Sequence, residues 1–77
     1  GTLKKYHTNG KIMHEIEYRE NNKEKKLMLK INSSHVPRIE DEVTIDGKLC
    51  KVLEVKHILD GYALKEKFIV TVRQYGI

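Results

Sequence analysis

The sequence predicts an all-β domain, a small antiparallel barrel of five or six strands built from consecutive hairpins. Three observations carry this. Apolar and polar residues alternate with period two along most of the chain, and no stretch of ten or more residues shows a 3.6-residue apolar stripe. Asn9-Gly10 and Asp46-Gly47 are dipeptides favoured by type I′ turns, in which both central residues take positive φ. The chain has 77 residues and one cysteine. It reads as a single domain over residues 1–77, with one small core and no internal disulfide.

The elements follow in order. Gly1 reads as a scar left by a cleaved tag. A turn at Asn9-Gly10 sets Leu3 opposite Ile16, Lys4 opposite Glu15, Tyr6 opposite Met13 and His7 opposite Ile12. The next strand puts Ile12, His14, Ile16 and Tyr18 on one face, with Met13, Glu15, Glu17 and Arg19 on the other. A turn at Asn21-Asn22 then pairs Ile16 with Leu27, His14 with Leu29 and Ile12 with Ile31. The opposite face pairs Glu17 with Lys26 and Arg19 with Glu24. Residues 33–40 hold the only proline and break the pattern; they form the one long connection, with Val36 held extended before Pro37. Turning at Asp46-Gly47 pairs Val43 with Cys50 and Glu42 with Lys51.

The strand after that turn changes phase. Cys50 and Val52 are apolar on even positions, and Leu53, Val55 and Leu59 on odd ones. A β-bulge near Val52 and Leu53 resolves the conflict, because one extra residue swaps the faces and bends the strand. A four-residue loop of Asp60, Gly61, Tyr62 and Ala63 then pairs Leu59 with Leu64, His57 with Glu66, Val55 with Phe68 and Leu53 with Val70. A tight turn at Asp60-Gly61 would oppose Lys56 to Lys65, so the longer loop is preferred. The expected inner residues are Ile12, Ile16, Leu27, Leu29, Ile31, Val43, Ile45, Val52, Val55, Phe68, Val70 and Val72.

Pro37, Ile39, Asp41, Val43, Ile45, the turn Asp46-Gly47-Lys48, then Val52 and Val55 form a recognisable rhythm. Over residues 36–57 it resembles SH3-like small barrels. These include transcription-factor and ribosomal modules that bind nucleic acid, and short barrel proteins of phages and mobile elements. Glu40 stands where many such barrels have a glycine before the acid. The resemblance implies an SH3-like barrel and no particular function.

The formal net charge is +4, unevenly spread. Residues 1–30 carry eight bases and four acids; residues 31–47 carry Arg38 against Glu40, Asp41, Glu42 and Asp46; residues 48–77 carry six bases and three acids. Twelve of the fifteen bases are lysine, the usual residue of a solvated surface, whereas arginine is the better sign of phosphate readout. No apolar run approaches the ~20 residues of a membrane helix. A soluble, cytoplasmic domain with no membrane partner is the expectation.

Catalytic, metal and cofactor sites are not expected. His7 and His14 fall diagonally on adjacent strands, ~7–8 Å apart, but no spacing among the four histidines and Cys50 matches a structural zinc site. Cys50 reads as a small core hydrophobe. The acidic cluster lacks the alternation of a calcium loop, Ser33 and Ser34 lack an oxyanion hole, and the glycines do not form a phosphate cradle. The leading expectation is a non-enzymatic binding or adaptor module that engages protein through an edge strand or through His35, Val36, Pro37 and Arg38. The alternative is a nucleic-acid-binding barrel using Lys25, Lys56, Lys65, Lys67 and Arg73. Homo-oligomerisation would supplement a core of about twelve residues, which is marginal at this size.

Overall fold

The computed structural model of the chain describes residues 12–75. These form five strands and no helix: β1 (His14–Glu20), β2 (Leu27–Ser33), β3 (Glu42–Ile45), β4 (Lys48–Asp60) and β5 (Lys65–Gln74). They make one sheet in the order β2-β1-β5-β4-β3, curled into a half-barrel. The expected strand Leu3 to His7 and its turn at Asn9-Gly10 lie outside the described residues. Both sides of Glu15 and Ile16 are taken by β2 and β5, so the pairings expected for these two with Lys4 and Leu3 are not available.

Three of the four ladders are antiparallel, as the hairpin pattern requires. The ladder between β1 and β5 is parallel. Successive strands alternate in direction, and with five strands the first and last run the same way. Bringing them side by side therefore makes a mixed sheet.

The inner face is built as rows running across the ladders. One row is Ile31, Ile16, Phe68 and His57; the next is Leu29, Tyr18, Val70 and Val55. Ile16, Tyr18, Ile45, Cys50, Val52, Val70 and Val72 are buried, with Met28, Leu29, Val36, Val43, Val55 and Phe68 packed against them. Three expected inner residues are exposed. Ile12 (69%) precedes β1. Leu27 (43%) lies past a register shift that leaves Met28 as an extra residue, so it pairs with outer-face Arg19 while Met28 packs on the core; Ile31 (37%) lies on β2, beyond which there is no further strand among the described residues.

The bulge falls where the phase change placed it. Val52 pairs with Val72 and Glu54 with Thr71, which leaves Leu53 as the extra residue. Cys50 and Val52 point inward before it, Val55 and His57 after it. The Asp46-Gly47 turn carries φ of 51° and 81°, the type I′ signature, and sets the expected pairs Val43 with Cys50 and Glu42 with Lys51.

The other two hairpins differ in register. The expected turn at Asn21-Asn22 is a longer loop over residues 21–26, and Ile16 pairs with Ile31 instead of Leu27. The cause is that the β1 ladder runs on: the Asn21 N–H donates to the Val72 carbonyl at 2.8 Å. Asn21 is thereby tied to β5 and cannot turn back at once. Arg19 Nη1 braces the loop by donating to the Lys25 carbonyl at 2.8 Å. In the last hairpin the loop is residues 61–64, one position later than expected, so His57 faces Phe68 and Val55 faces Val70. Asp60 Oδ1 holds this loop by accepting from the Tyr62 and Ala63 N–H groups.

Candidate functional site

Among the described residues the half-barrel has two edges, β2 and β3, and between them an open seam. One end of the seam is filled by residues 34–41. There Pro37 is buried and Val36 packs on the core, while the Glu40 N–H and Asp41 carbonyl bond the Val52 backbone, each at 2.8 Å. The other end opens into a cleft of about 260 Å³, whose lining includes Glu20, Lys26, Leu27, Ile45, Asp46 and Lys48. Leu27, Ile31 and Ile39 lie exposed near the seam. β2 reads LMLKINS; it has no proline and one lysine, so little along it discourages a further strand from pairing.

The two edges differ in charge. From Lys25 to Ile39 the sequence has no acid and carries Lys25, Lys26, Lys30 and Arg38. From Ile39 to Gly47 it has no base and carries Glu40, Asp41, Glu42 and Asp46. The acids are partly engaged: Glu40 meets Lys51 at 3.6 Å, Glu42 accepts from the Tyr75 hydroxyl at 2.5 Å, and Asp41 Oδ2 accepts from the Arg38 N–H at 2.8 Å. All but Asp41 are exposed.

The loop expected to meet a protein is divided by this packing. Val36 and Pro37 turn inward, and His35 and Arg38 remain exposed beside Ile39. His35 is held by Ser33 Oγ, which accepts from its N–H at 3.1 Å.

Of the residues expected to meet nucleic acid, Lys56, Lys65, Lys67 and Arg73 share the outer face, with Lys25 in the β1–β2 loop. Lys67 is committed to Glu17, a carboxylate only 5% exposed. Glu17 accepts from Lys67 Nζ at 3.0 Å and from Arg19 Nε and Nη2 at 3.2 and 3.1 Å. The Lys67 hydrogen bond, with Arg19 adding, holds the Glu17 carboxyl below its ordinary range against the opposing effect of burial. Glu15, Glu54 and Asp60 interleave with the remaining bases of this face. Tyr75, two residues beyond Arg73 on the same face, is already engaged: Lys51 Nζ lies 5.9 Å over its ring and its hydroxyl donates to Glu42.

Sequence reasoning missed one cluster. His57 stacks on Phe68 (centroids 4.3 Å apart, planes 6°), and His14 meets the same ring edge-on at 5.3 Å. Glu66 Oε2 lies 2.8 Å from His57 Nε2 and 3.8 Å from His14 Nδ1. A two-residue error in the last hairpin hid this, since it set His57 opposite Glu66 and left Phe68 facing Val55. Among the described residues no group of three His, Cys, Asp or Glu is placed to hold a metal ion, and His7 lies outside them. Cys50 is fully buried, and desolvation pushes its thiol up, with Glu20 adding to the shift. No helix among the described residues is long and apolar enough to cross a membrane. No protein-family model matches the chain, and no curated protein or solved structure matches it at a significant level.

Proposed function

We propose that this chain is a non-enzymatic binding module that engages a protein through its open seam, chiefly by strand addition along β2. The observation that carries this reading is an edge strand of seven residues with exposed Leu27 and Ile31 beside it. An extended segment laid there would gain main-chain hydrogen bonds and cover both side chains. His35, Arg38 and Ile39 would border its path. The curled sheet and the β3–turn–β4 segment support an SH3-like relationship, and the lone buried cysteine suits a reducing compartment such as the cytoplasm.

The test is site-specific photo-cross-linking. A cross-linking residue in place of Lys30 reports on the β2 edge; one in place of Lys56 reports on the outer face. The expected result is a defined protein adduct from position 30, suppressed by excess unlabelled chain, and none from position 56. Adducts from position 56 alone would overturn the reading. Tight oligonucleotide binding that falls steeply with salt, with no protein adduct, would favour the outer-face lysines as a nucleic-acid surface instead.

A further inference from the structure

We infer that the partner of the seam is a second copy of this chain, the basic β2 edge of one molecule adding to the acidic β3 edge of the next. The inference rests on the seam being a protein-binding edge and names its occupant. Three observations converge on it.

The first is charge. Lys25, Lys26 and Lys30 lie at or beside one edge, and Glu40, Glu42 and Asp46 lie at or beside the other. Two β2 edges brought together would oppose lysines, and two β3 edges would oppose carboxylates. Only the unlike pairing places opposite charges across the new ladder, and like charges directly opposite are destabilising.

The second is direction. β2 and β3 run in opposite senses within the sheet. A neighbour that continues the sheet by a rotation about an axis along the strands keeps those senses. The new ladder is then antiparallel, with its length set by the four residues of β3.

The third is apolar continuity. Met28, Leu29 and Ile31 of β2 and Val43 and Ile45 of β3 belong to the inner face. Joining the edges places one set beside the other, which covers Ile31 where the single copy leaves it exposed.

Such a contact uses a different patch on each partner. It therefore propagates head to tail and gives a closed ring or an open chain, depending on the rotation. The same complementarity could instead close β2 on β3 within one copy, giving a monomer with no free edge.

Sedimentation of the full chain over a concentration series distinguishes these. Association above the 9.0 kDa monomer, weakening as salt screens the exposed charges, is expected. Two charge-reversed variants then test the pairing. Lys26→Glu with Lys30→Glu makes both edges acidic. Glu40→Lys with Glu42→Lys and Thr44→Lys sets three lysines against Asp41 and Asp46 and makes both edges basic. Each variant alone should associate at least about tenfold more weakly than the unaltered chain, and an equimolar mixture should regain association, because each edge again meets its opposite. Recovery on mixing also shows that both variants are folded. A chain that stays monomeric to about millimolar concentration overturns the inference, as does a pair of variants that associate unchanged. If it stays monomeric while position 30 cross-links to another protein, the seam remains a binding edge and only its occupant is wrong.

Discussion

Replacing Glu17 with glutamine should cost this domain about 2 kcal/mol at neutral pH. The carboxylate sits on the outer face with its side chain 6% exposed, between Lys67 Nζ at 3.0 Å and the Arg19 guanidinium at 3.1 Å. Glutamine keeps the shape and one acceptor oxygen but removes the charge and turns an amide donor toward a cation. Removing one partner of a fully buried pair costs about 3–5 kcal/mol, and losing an exposed pair costs about 1 at most. Lys67 and Arg19 are about one-third exposed and can regain water, which places the cost between those limits. The smallest domains have urea slopes near 1 kcal/mol/M, so the unfolding midpoint should fall by roughly 2 M.

The pH dependence makes this prediction specific. The folded carboxyl titrates below its unfolded value. Its contribution is therefore complete above the ordinary glutamate pKa of about 4.3 and is lost as pH falls through the folded value. Urea titrations of Glu17→Gln and the unaltered chain should differ most at pH 6–7 and converge in acid, where both side chains are neutral. Dilute protein keeps association between copies out of the comparison. A difference under about 0.5 kcal/mol at pH 7 would refute the reasoning, and so would one that stays constant into acid.

Gly47→Ala should cost about 1 kcal/mol, or roughly 4–8 °C in melting temperature. An added Cβ there meets nothing within 4 Å while φ is +81°, so the loss comes from the backbone alone, and an unchanged melting curve would count against the type I′ turn. Deleting Leu53 should abolish folding, because it removes the residue by which β4 swaps faces; dispersed amide resonances in the deletion variant would disprove that role. Cys50 should react with a disulfide reagent at least about tenfold more slowly than a free thiol, and at the full rate once denatured. Burial both hides the sulfur and disfavours the thiolate, and rapid labelling of the native chain would contradict both.

The features readable from residue order were local or depended on parity. Asp46-Gly47 announces its turn through the backbone both residues must adopt, and the two pairs beside it follow directly. The bulge was legible because apolar residues change from even to odd positions, and only an extra residue reconciles them. Registers were less legible. In the β1–β2 hairpin the observed pairing differs from the expected one by four residues, and in the β4–β5 hairpin by two. Both slips are even over most of their length; past the register shift after Tyr18 the first becomes odd, and there Leu27 changes face. An even slip keeps every side chain on its face, so apolar still meets apolar and the pattern cannot distinguish the two pairings. The His14–Phe68–His57 cluster with Glu66 depends on that register and on β1 meeting β5, and no local spacing signals it.

Alternation, the Asp46-Gly47 turn and the bulge thus determined by themselves that the chain is all-β, small and bent, and which face of most strands is inner. The tertiary structure alone decided that β1 lies between β2 and β5, since pairing between the first and last described strands leaves no mark on local order. That placement ties Asn21 to Val72, lengthens the first loop and makes the first-to-last ladder parallel. It also leaves β2 at an edge of the described sheet, exposing Ile31 despite its apolar alternation. The opposite charges along the two edges were present in the sequence throughout. They became a statement about binding only once the fold set both strands at the borders of one open sheet.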